Sequence, residues 1–129
     1  MFSFSRLTNS ILNQKIYDII YMLLYKMVKI INVIDSPRKT KKYRAVFNDD
    51  TYIDFGLRGS STYLDHKDKK KRENYWKRHI GSENERELLH WVIPSPATLS
   101  AFLLWNKETL EDSIKDLNHI WATHTIDYT

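Results

Sequence analysis

The spacing of apolar residues changes period twice along this chain. In the first 26 residues Leu12, Ile16, Ile19, Ile20 and Leu23 recur at the three- and four-residue intervals of one helix face. Residues 28–34 are short and rich in β-branched side chains, which predicts a strand. Residues 43–47 alternate Tyr43, Ala45 and Phe47 against Arg44 and Val46, and residues 51–55 set Thr51, Ile53 and Phe55 on one face. Between those two runs stands the turn signal Asn48-Asp49-Asp50, so the pair reads as an antiparallel hairpin. Gly56 and Gly59 then break the alternation.

Beyond the glycines the helical period returns. Asp65 is placed to cap a helix over residues 67–79, with Asp68 three residues on in a capping-box-like position. Gly81 ends it, as a residue tolerant of positive φ would. Ser82 and Glu85 form a capping box for a helix over 83–92, stopped before Pro94. Ser95 followed by Pro96 opens a third helix over 96–105, with Leu99, Phe102, Leu103 and Trp105 inward. A last helix over 109–121 carries the stripe Leu110, Ile114, Leu117 and Trp121. Strands gathered first and helices afterwards predict an α+β fold: a small antiparallel sheet of about three strands, then three to four packed helices, with an N-terminal helical extension.

Residues 1–26 read as a separate segment, 27–122 as a single domain and 123–129 as a tail without pattern. Met27 opens the first strand's run, so residues 1–26 are either a helix attached to the domain or an upstream extension of it, and both alternatives stay open. The apolar stretch 16–25 is too short for a bilayer span and contains Asp18. It lacks the small-residue cleavage site of a signal peptide. A membrane-surface helix is the lesser alternative, because Lys15 and Lys26 offer little charge for lipid heads.

Composition narrows the chemistry. At 129 residues the chain suits one domain with a real core. An aromatic fraction of 13% argues against disorder. The absence of cysteine removes disulfides, thiol catalysis and thiolate metal sites together, and fits a reducing, intracellular setting. Charge is segregated. Residues 27–82 hold 14 Lys/Arg against 7 Asp/Glu, a net +7, while residues 83–129 net −5. A basic half of that kind can face a polyanion.

The densest basic run is 67–79, with Lys67, Lys69, Lys70, Lys71, Arg72, Lys77 and Arg78 against Asp68 and Glu73. Phosphates are attracted to such a surface by charge and counterion release. Tyr75 and Trp76 lie among the cations and offer stacking to a single strand. The segment Arg38, Lys39, Lys41, Lys42 and Arg44 extends the patch if the fold brings it near. The competing reading is a solvated basic face with Tyr75 or Trp76 turned into the core.

Other chemistry is thinner. Asp65, His66, Asp68 and His79 are of metal-ligand type. Asp68 and His79 stand 11 residues apart, roughly 16 Å along a helix, too far for one ion. Capping accounts for both aspartates, and Asp68 can pair with Arg72 one turn on. The Gly56–Thr62 stretch lacks phosphate-loop spacing and reads as a turn. His90 and His119 lie on helices among apolar neighbours and read as structural. No cofactor, metal or catalytic set is assigned.

The residues Ser36-Pro37-Arg38-Lys39, Tyr52-Ile53-Asp54-Phe55-Gly56 and Gly59-Ser60-Ser61-Thr62-Tyr63-Leu64-Asp65-His66-Lys67-Asp68 form a combined signature with Arg72, Asn74, Tyr75, Arg78 and His79. Ile93-Pro94-Ser95-Pro96, Leu103-Leu104-Trp105-Asn106-Lys107 and Ser113-Ile114-Lys115-Asp116-Leu117 complete it. Over about residues 27–118 the chain resembles a family of small proteins of unknown function encoded by nucleocytoplasmic large DNA viruses. The resemblance implies a viral source, and so a host cytoplasm, nucleus or virion as setting. It implies no mechanism. Tyr63, Asp65, His66, Arg78 and His79 match its most characteristic stretch, with no role attached.

Three expectations result. The first is a basic, non-enzymatic protein that binds nucleic acid through Arg38, Lys39, Lys41, Lys42, Lys67, Lys69, Lys70, Lys71, Arg72, Tyr75, Lys77 and Arg78. The second is a structural or adaptor protein with viral protein partners. The third is a metal-dependent hydrolase or nuclease using Asp65, His66 and His79.

Overall fold

The computed structural model describes residues 4–124, with side chains described at 12–20 and 23–124. In chain order it contains α1 (Phe4–Tyr25), β1 (Ile30–Asp35), β2 (Lys41–Phe47), β3 (Tyr52–Leu57), α2 (Tyr63–His66), α3 (Lys69–Ile80), α4 (Glu83–His90), α5 (Pro96–Leu99), a π turn over Ser100–Leu104, and α6 (Leu110–Thr123). This is the expected α+β order: an N-terminal helix, a three-stranded antiparallel sheet, then several helices. Among the described residues no helix is long and apolar enough to cross a membrane. The expected tail, 123–129, lies largely outside the described residues.

Strand alternation sets the core face. Ala45, Phe47 and Phe55 are buried, with Tyr43 and Ile53 packed beside them. The other face carries Arg44 opposite Asp54, cross-strand neighbours whose side chains form a two-point ion pair at 2.9 and 3.1 Å. The guanidinium also lies 3.7 Å above the Tyr52 ring. Arg44 is therefore committed to the sheet. At the edge of the sheet, Asn118 of α6 accepts from the Ile30 amide (2.9 Å) and donates to its carbonyl (3.0 Å). One side chain thus satisfies an edge residue that has no further strand beside it.

The helices close over the sheet with Leu89, Leu99, Leu103, Leu117, Ile120 and Trp121. The Trp121 indole N–H donates to the Val92 carbonyl at 2.8 Å. Ala101, Phe102, Leu103 and Leu104 are all buried. A regular α-helix turns about half of four consecutive residues outward. Here the widened π turn, packed against α5, α6 and β3, keeps all four inside. The 96–105 segment is therefore not one α-helix, and Trp105 follows it with a non-helical backbone (φ −131°).

Several boundaries differ from expectation for local reasons. Asp65 does not cap the long helix. It is the third residue of α2, where its carboxylate accepts from the Thr62 amide at 2.7 Å. Lys67 turns left-handed (φ 52°), and Asp68 caps α3 by accepting from Lys70 and Lys71 amides at 2.9 and 3.2 Å. The expected capping box does not form: the Glu85 amide donates to the Ser82 carbonyl and not to its hydroxyl, and the Glu85 side chain pairs with His79. Gly81 has φ −70°, so it is not a left-handed cap. A Cβ there would lie 3.1 Å from the Lys77 carbonyl. α4 ends at His90, and Val92 takes φ 53° as Ile93 donates to the Leu88 carbonyl. Pro94 disfavours a helical Ile93 and enforces that stop. His90 and His119 are both exposed, and the His90 ring stands edge-on to Trp91 at 4.8 Å.

Candidate nucleic-acid interface

Helix α3 forms because Asp68 satisfies its first amides, and its polar and aromatic residues separate cleanly by face. Arg72, Tyr75, Trp76 and His79 are part-buried, at the three- and four-residue spacing of one side. Lys69, Lys70, Lys71, Glu73, Lys77 and Arg78 are exposed on the rest, and no α3 residue is fully buried. The Asp68 carboxyl is held below its usual range by the Lys71 and Lys70 amides, so the helix start is already occupied by an anion of the chain itself. Lys69, Lys70 and Lys71 sit in a first turn that has no acidic residue. Cations there oppose the helix dipole, an arrangement that a bound anion relieves.

Glu73 is the one carboxylate on this helix. It pairs with Lys77 at 3.0 Å and Lys70 at 3.7 Å. Those lysine side chains remain 68% and 72% exposed, so both stay available to solvent anions.

The inner face is an aromatic ladder. Tyr75 stacks on Trp105 at 4.4 Å with planes 5° apart, and meets the His79 ring at 4.1 Å. His66 lies 5.3 Å from Trp105 and 6.2 Å from Tyr63. Trp76 stands edge-on to Phe102 and donates its indole N–H to the Trp105 carbonyl at 2.7 Å. Burial pushes the Tyr75 phenol up to about 12, with Glu85 adding to the rise and Arg78 opposing it. The ring of Tyr75, expected to offer stacking, is engaged by Trp105 and His79. Trp76 is likewise turned inward.

Two expected phosphate contacts are also committed elsewhere. The Arg72 guanidinium donates to the Asn106 carbonyl at 3.0 Å and lies 4.9 Å over the Tyr63 ring. The Lys42 ammonium donates to the Ser60 carbonyl at 2.5 Å and stands 3.9 Å from Asp65. The expected Asp68–Arg72 pair is replaced by these contacts. Arg38 and Lys39 are exposed and Lys41 is half-buried. Lys67 is exposed and donates to the Leu64 carbonyl at 3.1 Å. Between the two basic segments Lys42 is the bridge, through Asp65 at the start of the helical half.

Asp65, His66 and His79, the residues expected for hydrolysis, each make a structural contact. The Asp65 carboxyl is lowered by the Thr62 amide, despite partial desolvation, with Lys42 assisting. His66 Nδ1 accepts from the Asp68 amide at 2.9 Å, which places its proton on Nε2. That Nε2 is buried without a polar partner, in surroundings that include the Tyr63 and Trp105 rings. His79 pairs with Glu85 across α3 and α4. Tyr75 and Trp105 come between His66 and His79 in the ladder. Among the described residues no group of three or more His, Asp or Glu is placed to hold a metal ion. A cavity of about 190 Å³ lined by Val28, Phe47, Asn48, Asp49, Thr51, Ile53 and Pro94 contains none of the candidate residues.

Sequence reading alone did not identify Trp105 as the centre of the ladder, or Glu85 as the partner of His79. Trp105 looked like one more core position of a continuous helix, and Glu85 like a cap.

Residues 31–79 match the model of a family of unknown function (DUF5754). The matched segment runs from β1 through nearly all of α3. It contains Tyr63, Asp65, His66, Arg72, Tyr75 and His79, but not Trp105 or Glu85, against which its last helix is packed. The chain has no match among curated proteins or among solved structures.

Proposed function

We propose that this protein binds nucleic acid through phosphate contacts along the outer face of α3 and catalyses no reaction on it. The observation that carries this reading is the division of α3. Its aromatic residues are spent inward, while Lys69, Lys70, Lys71, Lys77 and Arg78 stand exposed against a single carboxylate. Arg38, Lys39 and Lys67 are further exposed cations of the same basic half. The exposed cations of α3, from Lys69 to Arg78, span about 14 Å. Such a row suits a regular polyanion better than the uneven charge of a folded acidic protein. With the aromatic residues of α3 turned inward, binding along its outer face reads backbone charge and not bases. Duplexes of any sequence are therefore the preferred ligand over unpaired strands, whose recognition leans on stacking. The resemblance to proteins of large DNA viruses makes an infected cell or a virus particle the setting of this reading.

The test is fluorescence anisotropy of the protein on a labelled duplex across a salt series. Four to five phosphate contacts give a slope of log K against log salt of about −4. Lys70→Glu with Lys71→Glu weakens every duplex alike, and Glu73→Gln strengthens binding by releasing Lys70 and Lys77. Absent or salt-insensitive binding refutes the reading and turns attention to protein partners.

A further inference from the structure

Helix α1 carries an apolar surface that its own fold leaves uncovered. Leu12, Ile16 and Ile19 are each 52% exposed and Leu23 62%. Their spacing of four, three and four residues is that of a coiled-coil seam. Ile20 and Leu24, at 43% and 59% exposure, broaden the strip. Tyr25, at the end of the helix, packs on the core and fixes α1 to the body. A contiguous exposed strip of this kind marks an association site.

The chemistry of the strip chooses its occupant. A helix that lies on lipid needs a strongly basic polar face. Between positions 12 and 24 the charged residues are Lys15 and Asp18, which cancel. A seam of this spacing is filled by another seam, and this one is self-complementary. Reversed about its midpoint, between Tyr17 and Asp18, it sets Leu12 against the partner's Leu23 and Ile16 against the partner's Ile19. Leucine meets leucine and isoleucine meets isoleucine in each layer, and every such contact occurs twice about the axis, as in an isologous two-fold interface. Charge selects the direction. A parallel pair would hold two bodies side by side, each with a +7 segment directly after the helix. An antiparallel pair attaches them at opposite ends of a helix of 22 residues, about 33 Å long.

We infer that two copies of this chain associate through α1 as an antiparallel helix pair. The dimer presents two α3 faces, one on each body, and rests on residues distinct from the α3 cations. Failure of either reading therefore leaves the other standing.

The test is sedimentation velocity of the full chain over a concentration series. The expected species has twice the 15.5 kDa chain mass. Ile16→Glu with Ile19→Glu reduces it to one chain mass while leaving the melting of the body unchanged, since both positions are exposed. Ile16→Glu with Ile19→Lys restores the pair, because the antiparallel layers then match opposite charges and parallel layers would match like ones. The chain contains no cysteine, so oxidative cross-linking gives a clean second reading. Chains bearing Leu12→Cys join to chains bearing Leu23→Cys, and neither joins efficiently to itself. One chain mass at every concentration overturns the inference. So does a dimer that survives the double glutamate variant, self-linking of Leu12→Cys chains, or a monomer that co-sediments with anionic phosphatidylserine vesicles.

Discussion

Trp105→Ala removes the ring on which α3 is seated, while sparing the backbone carbonyl that Trp76 uses. Two ring contacts are lost, the parallel stack on Tyr75 at 4.4 Å and the tilted contact with His66 at 5.3 Å. Contacts of that kind contribute about 0.5–1.5 kcal/mol each beyond area burial, so about 1–3 kcal/mol together. Trp105 is part-buried, and its lost burial adds about 1 kcal/mol, half the value of a fully buried side chain. The sum, about 2–4 kcal/mol, falls toward the low side of fully buried tryptophan truncations. For a chain of this size it lowers Tm by roughly 8–16 °C. Two measurements check it. Urea unfolding followed by circular dichroism gives the stability change, with Trp105→Phe recovering at least half. Absorbance titration of the tyrosines, with Tyr75→Phe as reference, gives the phenol. Its value drops from about 12 toward an ordinary 10 once the covering ring is gone. A loss below about 1 kcal/mol, together with an unchanged tyrosine titration, would falsify the view that Trp105 seats α3.

Tyr75 also governs alkaline behaviour. Its folded value, about 12, lies above the ordinary unfolded one, so its contribution is intact below about pH 10 and is lost as pH rises toward 12. Tyr75→Phe is expected to match the parent at pH 7 and to lose less stability between pH 10 and 12; equal alkaline slopes in the two proteins count against this. Asp54 behaves in the opposite sense. The Arg44 guanidinium holds its carboxyl below the usual range, so its stabilisation is present above about pH 4 and is lost as pH falls through the folded value. Asp54→Asn should cost about 1–3 kcal/mol at pH 7, a partly solvated version of breaking a buried pair, and should flatten the acid limb of a stability–pH profile. Gly56 has φ +78°, and a Cβ there would meet Lys42 Cβ at 3.0 Å and Leu104 Cδ1 at 3.1 Å. Gly56→Ala is expected to destabilise by about 1–3 kcal/mol, whereas Gly59→Ala, with φ +87° but open space, costs less. Thermal melts that rank the two in the reverse order refute the close-approach argument.

The candidate interface was partly legible because lysine at high density needs no tertiary information to be recognised as exposed. Lys69, Lys70, Lys71, Lys77 and Arg78 are found on the surface where their solvation demands it. Arg72, Lys42 and Arg44 look the same in sequence, yet each found an acceptor brought in from elsewhere in the chain: Asn106, Ser60 and Asp54. Whether a cation remains free depends on carbonyls and carboxylates that are 10 to 34 residues away. No local pattern contains that information.

What the sequence determined by itself is the order and type of the elements. Period 2 in 43–47 and 51–55 and period 3.6 in 109–121 are consequences of backbone geometry, and each segment carries its own. Ser95 with Pro96, and the Asn48-Asp49-Asp50 turn, are equally local and appear where expected. Only the tertiary structure decided the choices between partners. Glu85 could cap its own helix or pair with His79, and the proximity of α3 and α4 settled it. Ser100–Leu104 could continue as α-helix or widen to a π turn, and packing against α5, α6 and β3 favoured the form that buries Ala101, Phe102, Leu103 and Leu104 together. Trp105 became the seat of an aromatic ladder because α2 and α3 both converge on it. The physical reason is common to all three cases: a local hydrogen bond or rotamer contributes about 1 kcal/mol, and burial of a ring or pairing of a charge can outweigh it once the fold has brought the partners together.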